Sequence, residues 1–134
     1  MRRKGAGGKD KKMIRGISAA IALALFAAPA FAAENTCKAP MAPTVPNGKT
    51  AEAHDLVVAA NDVKTFIKAS DDYQLCLNTW MDAEAKTAAD AKQPLDAKIK
   101  AQHDQLGDAN QKEKERIGVA YNTAVADYRK AHPK

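Results

Sequence analysis

Apolar positions recur at steps of three and four along most of the chain. Leu56, Ala59, Val63, Phe66, Ser70, Tyr73, Leu77, Trp80 and Met81 form one stripe; Leu95, Ile99, Gln102, Leu106, Ala109, Glu113, Ile117, Ala120, Tyr121, Ala124 and Tyr128 form a second. This spacing puts one face of an α-helix against a neighbour and predicts two long helices, over about 50–91 and about 94–131. Thr50 reads as the first N-cap, with Glu52 in the opening turn. Gln93-Pro94 interrupts the pattern, and Pro94 fits the first turn of the second helix, where its missing N–H costs nothing. The outer face of that helix carries Asp96, Lys100, Asp104, Asp108, Lys112 and Arg116 at steps of four, the mark of a solvated surface. Leu106-Gly107 followed by Asp108-Ala109-Asn110-Gln111 offers a rival reading, a helix end and a new start. The apolar spacing crosses Gly107 without a change of phase, which favours one continuous helix.

Neither helix can bury its stripe alone, so a short connection folds them into an antiparallel hairpin. A turn centred near Gln93 sets position i opposite about 186 − i. Trp80 then meets Leu106, Tyr73 meets Glu113, Phe66 meets Ala120, and Val63 meets Tyr121 and Ala124. Gly107 and Gly118 read as points of close helix approach, with Trp80 over Gly107.

Ahead of the stripes the pattern changes. Cys37, Pro40, Pro43 and Pro46 are spaced by three, the repeat of polyproline II, so one edge of such a strand presents all four. Thirteen residues from Cys37 to Thr50 span about 40 Å at 3.1 Å each. Twenty-six helical residues from Thr50 to Cys76 span about 39 Å at 1.5 Å each. The match lets the strand turn at Asn47-Gly48 and return along the first helix to Cys76, the only other cysteine, which shares a flank with Tyr73, Ala69 and Phe66. A bridge between the two cysteines would close a loop of about 40 residues and stabilise by about 4 kcal/mol on the chain-entropy account. An intermolecular bridge and two free thiols are the alternatives. The expected fold is all-α: a long antiparallel helical hairpin with an N-terminal polyproline II segment packed on the first helix and pinned by a disulfide. A proline-rich peptide exposed for docking is the rival use of the strand, and the bridge to its own helix weighs against it.

Charge modifies this picture once the first residues are set aside. Residues 1–32 combine seven Lys and Arg, an apolar run from Ile17 to Ala28, and small residues at Ala30 and Ala32, the layout of a secretory signal cleaved near Ala32. Met13 would serve as well as Met1 for a start. The chain has 21 Lys and Arg and 16 Asp and Glu; without residues 1–32, which hold seven and one, the counts fall to 14 and 15. The mature protein is close to neutral, so the overall basicity belongs to targeting and nucleic acid is not an expected partner. Three segments result: signal peptide 1–32, proline-rich extended segment 33–49, and helical hairpin 50–134. Export to the periplasm of a Gram-negative cell, with no stable membrane insertion after cleavage, is the expected destination, and an oxidising compartment suits paired cysteines.

The pattern Cys37-x-x-Pro40-x-x-Pro43-x-x-Pro46-x-Gly48, then Val63-Lys64-x-Phe66, Tyr73-x-x-Cys76-Leu77 and Tyr121-Asn122-x-Ala124-Val125-x-x-Tyr128, resembles a group of small exported proteobacterial helical proteins with no assigned function. The resemblance covers nearly all of the mature chain and implies a periplasmic helical protein. It implies no activity.

Candidate chemistry is sparse. His54 falls opposite His132 in the assumed register, with Glu52 and Asp55 nearby, a geometry open to a low-affinity metal site. His103 reads as polar surface. The absence of Cys-x-x-Cys-His excludes a c-type haem, and no calcium loop is present. Ser70, the single serine after the signal, sits on the apolar stripe with no histidine near it, so nucleophilic catalysis has no base. Asp71 and Asp72 point about 100° apart and cannot share a proton, while Lys68 one turn before Asp72 makes a surface ion pair. Glu113 lies on the buried stripe opposite Tyr73 with Asn110 one turn away, the setting for a buried polar layer that fixes register. The sequence therefore points away from an enzyme and from any cofactor. It points to a binding, chaperone-like or envelope structural protein that acts on a protein partner or on itself; low-affinity metal binding is the alternative.

Overall fold

A computed structural model describes residues 34–133; the signal assigned to 1–32 lies outside the described residues. Two helices, α1 (Ala53–Asp90) and α2 (Ala97–Ala131), pack against each other, and no strand occurs among the described residues. They are 38 and 35 residues long, about 57 and 52 Å. The hairpin carries a third layer. Residues 34–47, hereafter the clasp, have no regular secondary structure and return along α1 from a disulfide between Cys37 and Cys76, whose Cα atoms are 5.8 Å apart.

The helix starts differ from expectation because the chain before each is occupied. Thr50 does not cap α1. The amides of Thr50 and Ala51 donate to Asn47 O at 3.1 and 2.9 Å, the Thr50 hydroxyl lies 3.4 Å from the same oxygen, and Lys49 N donates to Asn47 Oδ1 at 3.0 Å. That turn consumes the hydroxyl, and the cap passes to Glu52, whose amide donates to the Asp55 carboxylate at 2.9 Å. Pro94 likewise does not open α2. It follows a Schellman ending of α1, in which Lys92 N bonds to Ala89 O and Gln93 N to Ala88 O, both at 2.9 Å, with Lys92 in the left-handed region at φ 54°. Pro94 is thus a stop signal for α1, and α2 starts three residues later at Ala97, with Asp96 as its cap accepting from Lys98 N at 2.8 Å. Gly107 breaks nothing; α2 is continuous through it.

The register is also shifted. Asn110 reaches Ser70 and His103 reaches Asn78, so facing positions add to 180 or 181 and not to 186. The cause is the Schellman loop. It lets α1 run past the start of α2, and residues 91–96 come back over the last turns of α1, where Glu84, Thr87 and Ala88 border a small cleft with Pro94, Leu95 and Ile99. Gly107 consequently faces Gln74 and not Trp80, and a Cβ on Gly118 would meet nothing within 4 Å. The charged faces behave as expected: Lys68–Asp72, Lys86–Asp90 and Lys100–Asp104 form i,i+4 pairs at 2.6–2.8 Å.

Burial concentrates where the clasp lies. Leu56, Ala51 and Ala124 form one cluster with Val45 and Tyr128 against it; Val63, Phe66 and Ile117 form a second with Ala42 and Tyr121. Each cluster takes one clasp residue between the two helices.

Candidate functional site

The clasp seats itself by small residues. Gly48 is buried, and a Cβ there would fall 2.6 Å from the Ala124 carbonyl carbon and 2.8 Å from its Cα. No side chain fits, so the turn is brought flush onto α2. Ala124 belongs to the same cluster as Leu56, so the eleven residues from Cys37 to Gly48 cover the rise from Leu56 to Cys76, about 30 Å. That is about 2.7 Å per residue, close to the 3.1 Å rise of polyproline II.

A second edge of the clasp, beside the proline edge, turns into the seam. Ala42, Val45 and Gly48, each spaced by three, enter the clusters or touch α2. Pro40, Pro43 and Pro46 are half-buried and lie towards α1: Pro40 and Pro43 border a groove with Asp62, Thr65, Phe66 and Ala69, and Pro46 borders another with His54, Val58 and Ala59. The sequence held this signal, since the residues before each proline share the same threefold phase; the prolines drew attention from their smaller neighbours. The prolines still matter, because fixed φ and missing N–H groups suit a strand that has no sheet partner. Among the described residues, none from 38 to 46 makes a hydrogen bond to either helix; the clasp is held by apolar contact, the Gly48 approach and the disulfide.

Where the clasp approaches Cys37 the seam is incompletely filled. Ala39 and Pro40 of the clasp, Phe66 and Tyr73 of α1, and Leu106, Ala109, Asn110 and Glu113 of α2 line a slot of about 310 Å³. Its floor is apolar and aromatic, with an amide and a carboxylate at α2. Asn110 is buried and donates from Nδ2 to Ser70 O at 3.0 Å. Ser70 is fully buried, and its hydroxyl has no hydrogen-bond partner among the described residues. The expected polar layer of Tyr73, Asn110 and Glu113 is therefore redrawn. Asn110 carries it with Ser70, Tyr73 is buried beside the slot, and Glu113 is only half-buried. Arg116, one turn on, takes both Glu113 carboxylate oxygens at 2.8 and 2.6 Å. That guanidinium pulls the side chain towards solvent and holds its carboxyl below the usual carboxylate range.

The opposite face of the hairpin is polar. His103 ring nitrogens lie 3.0 Å from Asn78 Oδ1 and 3.1 Å from Asp104 Oδ1, and Lys114 donates across to Asp71. Gly107, Gln74 and Asp108 complete this open cleft. Hydrogen bonds from Lys100 and then from His103 hold the Asp104 carboxyl below its ordinary value. These cross-helix bridges set the register on a side that the clasp does not touch.

The histidine pair is not assembled into a site. His132 stacks on Tyr128 with ring centroids 4.3 Å apart and its Nδ1 3.1 Å from Tyr128 O, while His54 borders the Pro46 groove. Among the described residues no group of three or more His, Cys, Asp or Glu could hold a metal ion. No described helix is long and apolar enough to cross a membrane.

Comparison with known proteins returned no matching family model, no matching curated protein and no matching solved structure.

Proposed function

We propose that this chain is a non-catalytic binding protein of the periplasm, chaperone-like or structural in the envelope, and that the slot between clasp and hairpin receives an apolar side chain of an extended partner polypeptide. One observation supports the reading: the seam already accommodates an extended chain without a hydrogen bond to either helix, and the slot continues that seam with Phe66, Tyr73 and Leu106 in its walls. A slot of about 310 Å³ has room for one large or two small apolar side chains, while Asn110 at the α2 wall offers an amide oxygen to a polar backbone group. The export signal and the resemblance to small exported helical proteins give the compartment.

The test is site-specific photo-crosslinking in living cells. A photoreactive residue at Ala109, exposed and on the slot, captures a partner whose crosslinked peptide is extended and apolar; the same residue at Val119, exposed on the outer face of α2, captures none. Equal capture at both positions, or a crosslinked peptide dominated by charged residues, rejects the slot. The mass of the exported chain checks the compartment, with an N-terminus near Ala33 expected in the periplasmic fraction.

A further inference from the structure

We propose that the seam beneath the clasp is itself a docking surface for an extended polypeptide carrying small or apolar residues at every third position, opened when the Cys37–Cys76 disulfide is reduced. This rests on the binding reading above and extends it from the slot to the whole seam.

The clasp is built to be displaced. It contributes Ala42 and Val45 to the core, yet residues 38–46 make no hydrogen bond to either helix among the described residues. A β-strand leaving a sheet would strand a row of backbone partners, whereas a polyproline-like segment keeps its backbone solvated whether docked or free. Its permanent hold is the disulfide, and Cys76 is exposed on α1 with Cys37 half-buried. The thiolate of an external dithiol attacks one sulfur, the S–S bond breaks, and the other cysteine leaves as a thiolate. The second thiol of the reductant resolves the mixed disulfide. Two electrons and two protons pass to Cys37 and Cys76, and the dithiol becomes a disulfide.

The helices have ties of their own that survive this step. Asn110 to Ser70, His103 to Asn78 and Lys114 to Asp71 all cross between α1 and α2 without the clasp. Release therefore bares Leu56, Val63, Phe66, Ile117 and Tyr121 on an intact hairpin. A contiguous apolar patch of that kind demands cover. The chemistry of the cover is written in what fits now, Ala39, Ala42 and Val45 at intervals of three beside prolines. Reduction alone leaves the clasp tethered at an effective concentration on the order of mM, so the gate changes a covalent closure into a competition that a matching partner segment can win.

Trypsin gives the first readout, because Lys38 lies within the clasp, Lys49 lies just beyond it, and both are exposed. Cleavage after Lys38 is at least tenfold faster in the dithiol-reduced chain than in the oxidised chain, with helical circular dichroism unchanged. The second readout uses a labelled peptide copying residues 38–47. It binds the reduced full chain carrying Ala42→Asp and Val45→Asp, whose own clasp no longer competes, at least tenfold more tightly than it binds the oxidised wild type; fluorescence anisotropy measures both. Three results overturn the proposal: unchanged cleavage on reduction, loss of helix on reduction, which would make clasp and hairpin one cooperative unit, or no peptide binding to the reduced variant. A second copy supplying its clasp to the seam appears as a dimer with an intermolecular Cys37–Cys76 link after reoxidation, and supports the surface. Crosslinking from Ala109 in the oxidised chain is unaffected by any of these results, so the slot and the gated seam fail separately.

Discussion

The same two helices behave differently on either side of Cys76. Towards the open end they share a third layer, and Leu56, Ala59, Val63, Phe66, Ile117 and Ala124 are all buried. Towards the connecting turn they have only each other, and Leu77, Glu84 and Ile99 are the buried residues of that half. Trp80 and Met81, on the expected apolar stripe, stay half-exposed there. A helix with one neighbour covers a narrow strip, whereas a strand laid in the groove closes the triangle and widens the strip to two or three positions per turn. A strand of small residues, itself only half-buried at Ala42 and Val45, thus covers a core that the two helices supply.

Substitutions in the two halves probe that contrast. Phe66→Ala carries the largest expected effect, a loss of about 3 kcal/mol or more from cavity formation at a 4 % exposed ring in the three-layer half. Leu77→Ala, in the two-layer half, falls at the lower end of the range for such changes, about 2 kcal/mol, because a site with no third wall relaxes more completely. Urea unfolding of both variants measures the difference, and an equal loss would dissolve the comparison. Gly48→Ala costs about 1–3 kcal/mol by overpacking against the Ala124 backbone. A further consequence is that clasp residues should gain protease sensitivity before the helices do; if cleavage after Lys38 is unchanged, the turn has moved without loosening the clasp. The smallest change should be a gain: Lys92→Gly removes a left-handed lysine from the Schellman position and stabilises the bare half by about 1 kcal/mol, read as a higher melting temperature.

The helices were legible because burial imposes a 3.6-residue repeat that side-chain chemistry cannot hide, and the second stripe was read as one helix across Gly107, although Gln102 and Ala109 on it are exposed. The disulfide and the return of the N-terminal segment were legible from a lone pair of cysteines, matched lengths and the threefold phase of Cys37 with the prolines. The register was not, since it depended on Lys92 adopting a conformation that glycine normally signals. With register misplaced, Glu113 was set in the core opposite Tyr73, although Arg116 one turn on offered it a partner outside. Asn110, read as an accessory, is the buried member because its amide can reach a backbone carbonyl across the seam. The slot was invisible in the sequence, being formed by three segments whose relative heights depend on that same register.

The clasp also fixes an order of events. Val45 packs against a cluster completed by Ala124, nearly eighty residues later in the chain, whereas the hairpin closes between neighbours through a six-residue connection. Contacts so distant in sequence wait on loop closure that local helix pairing does not require. The segment that precedes both helices in the chain therefore finds its groove last, only after α2 has turned back to build the far wall. Pairing of Cys37 with Cys76 closes the chain behind a finished hairpin, and the oxidised state records that folding is complete.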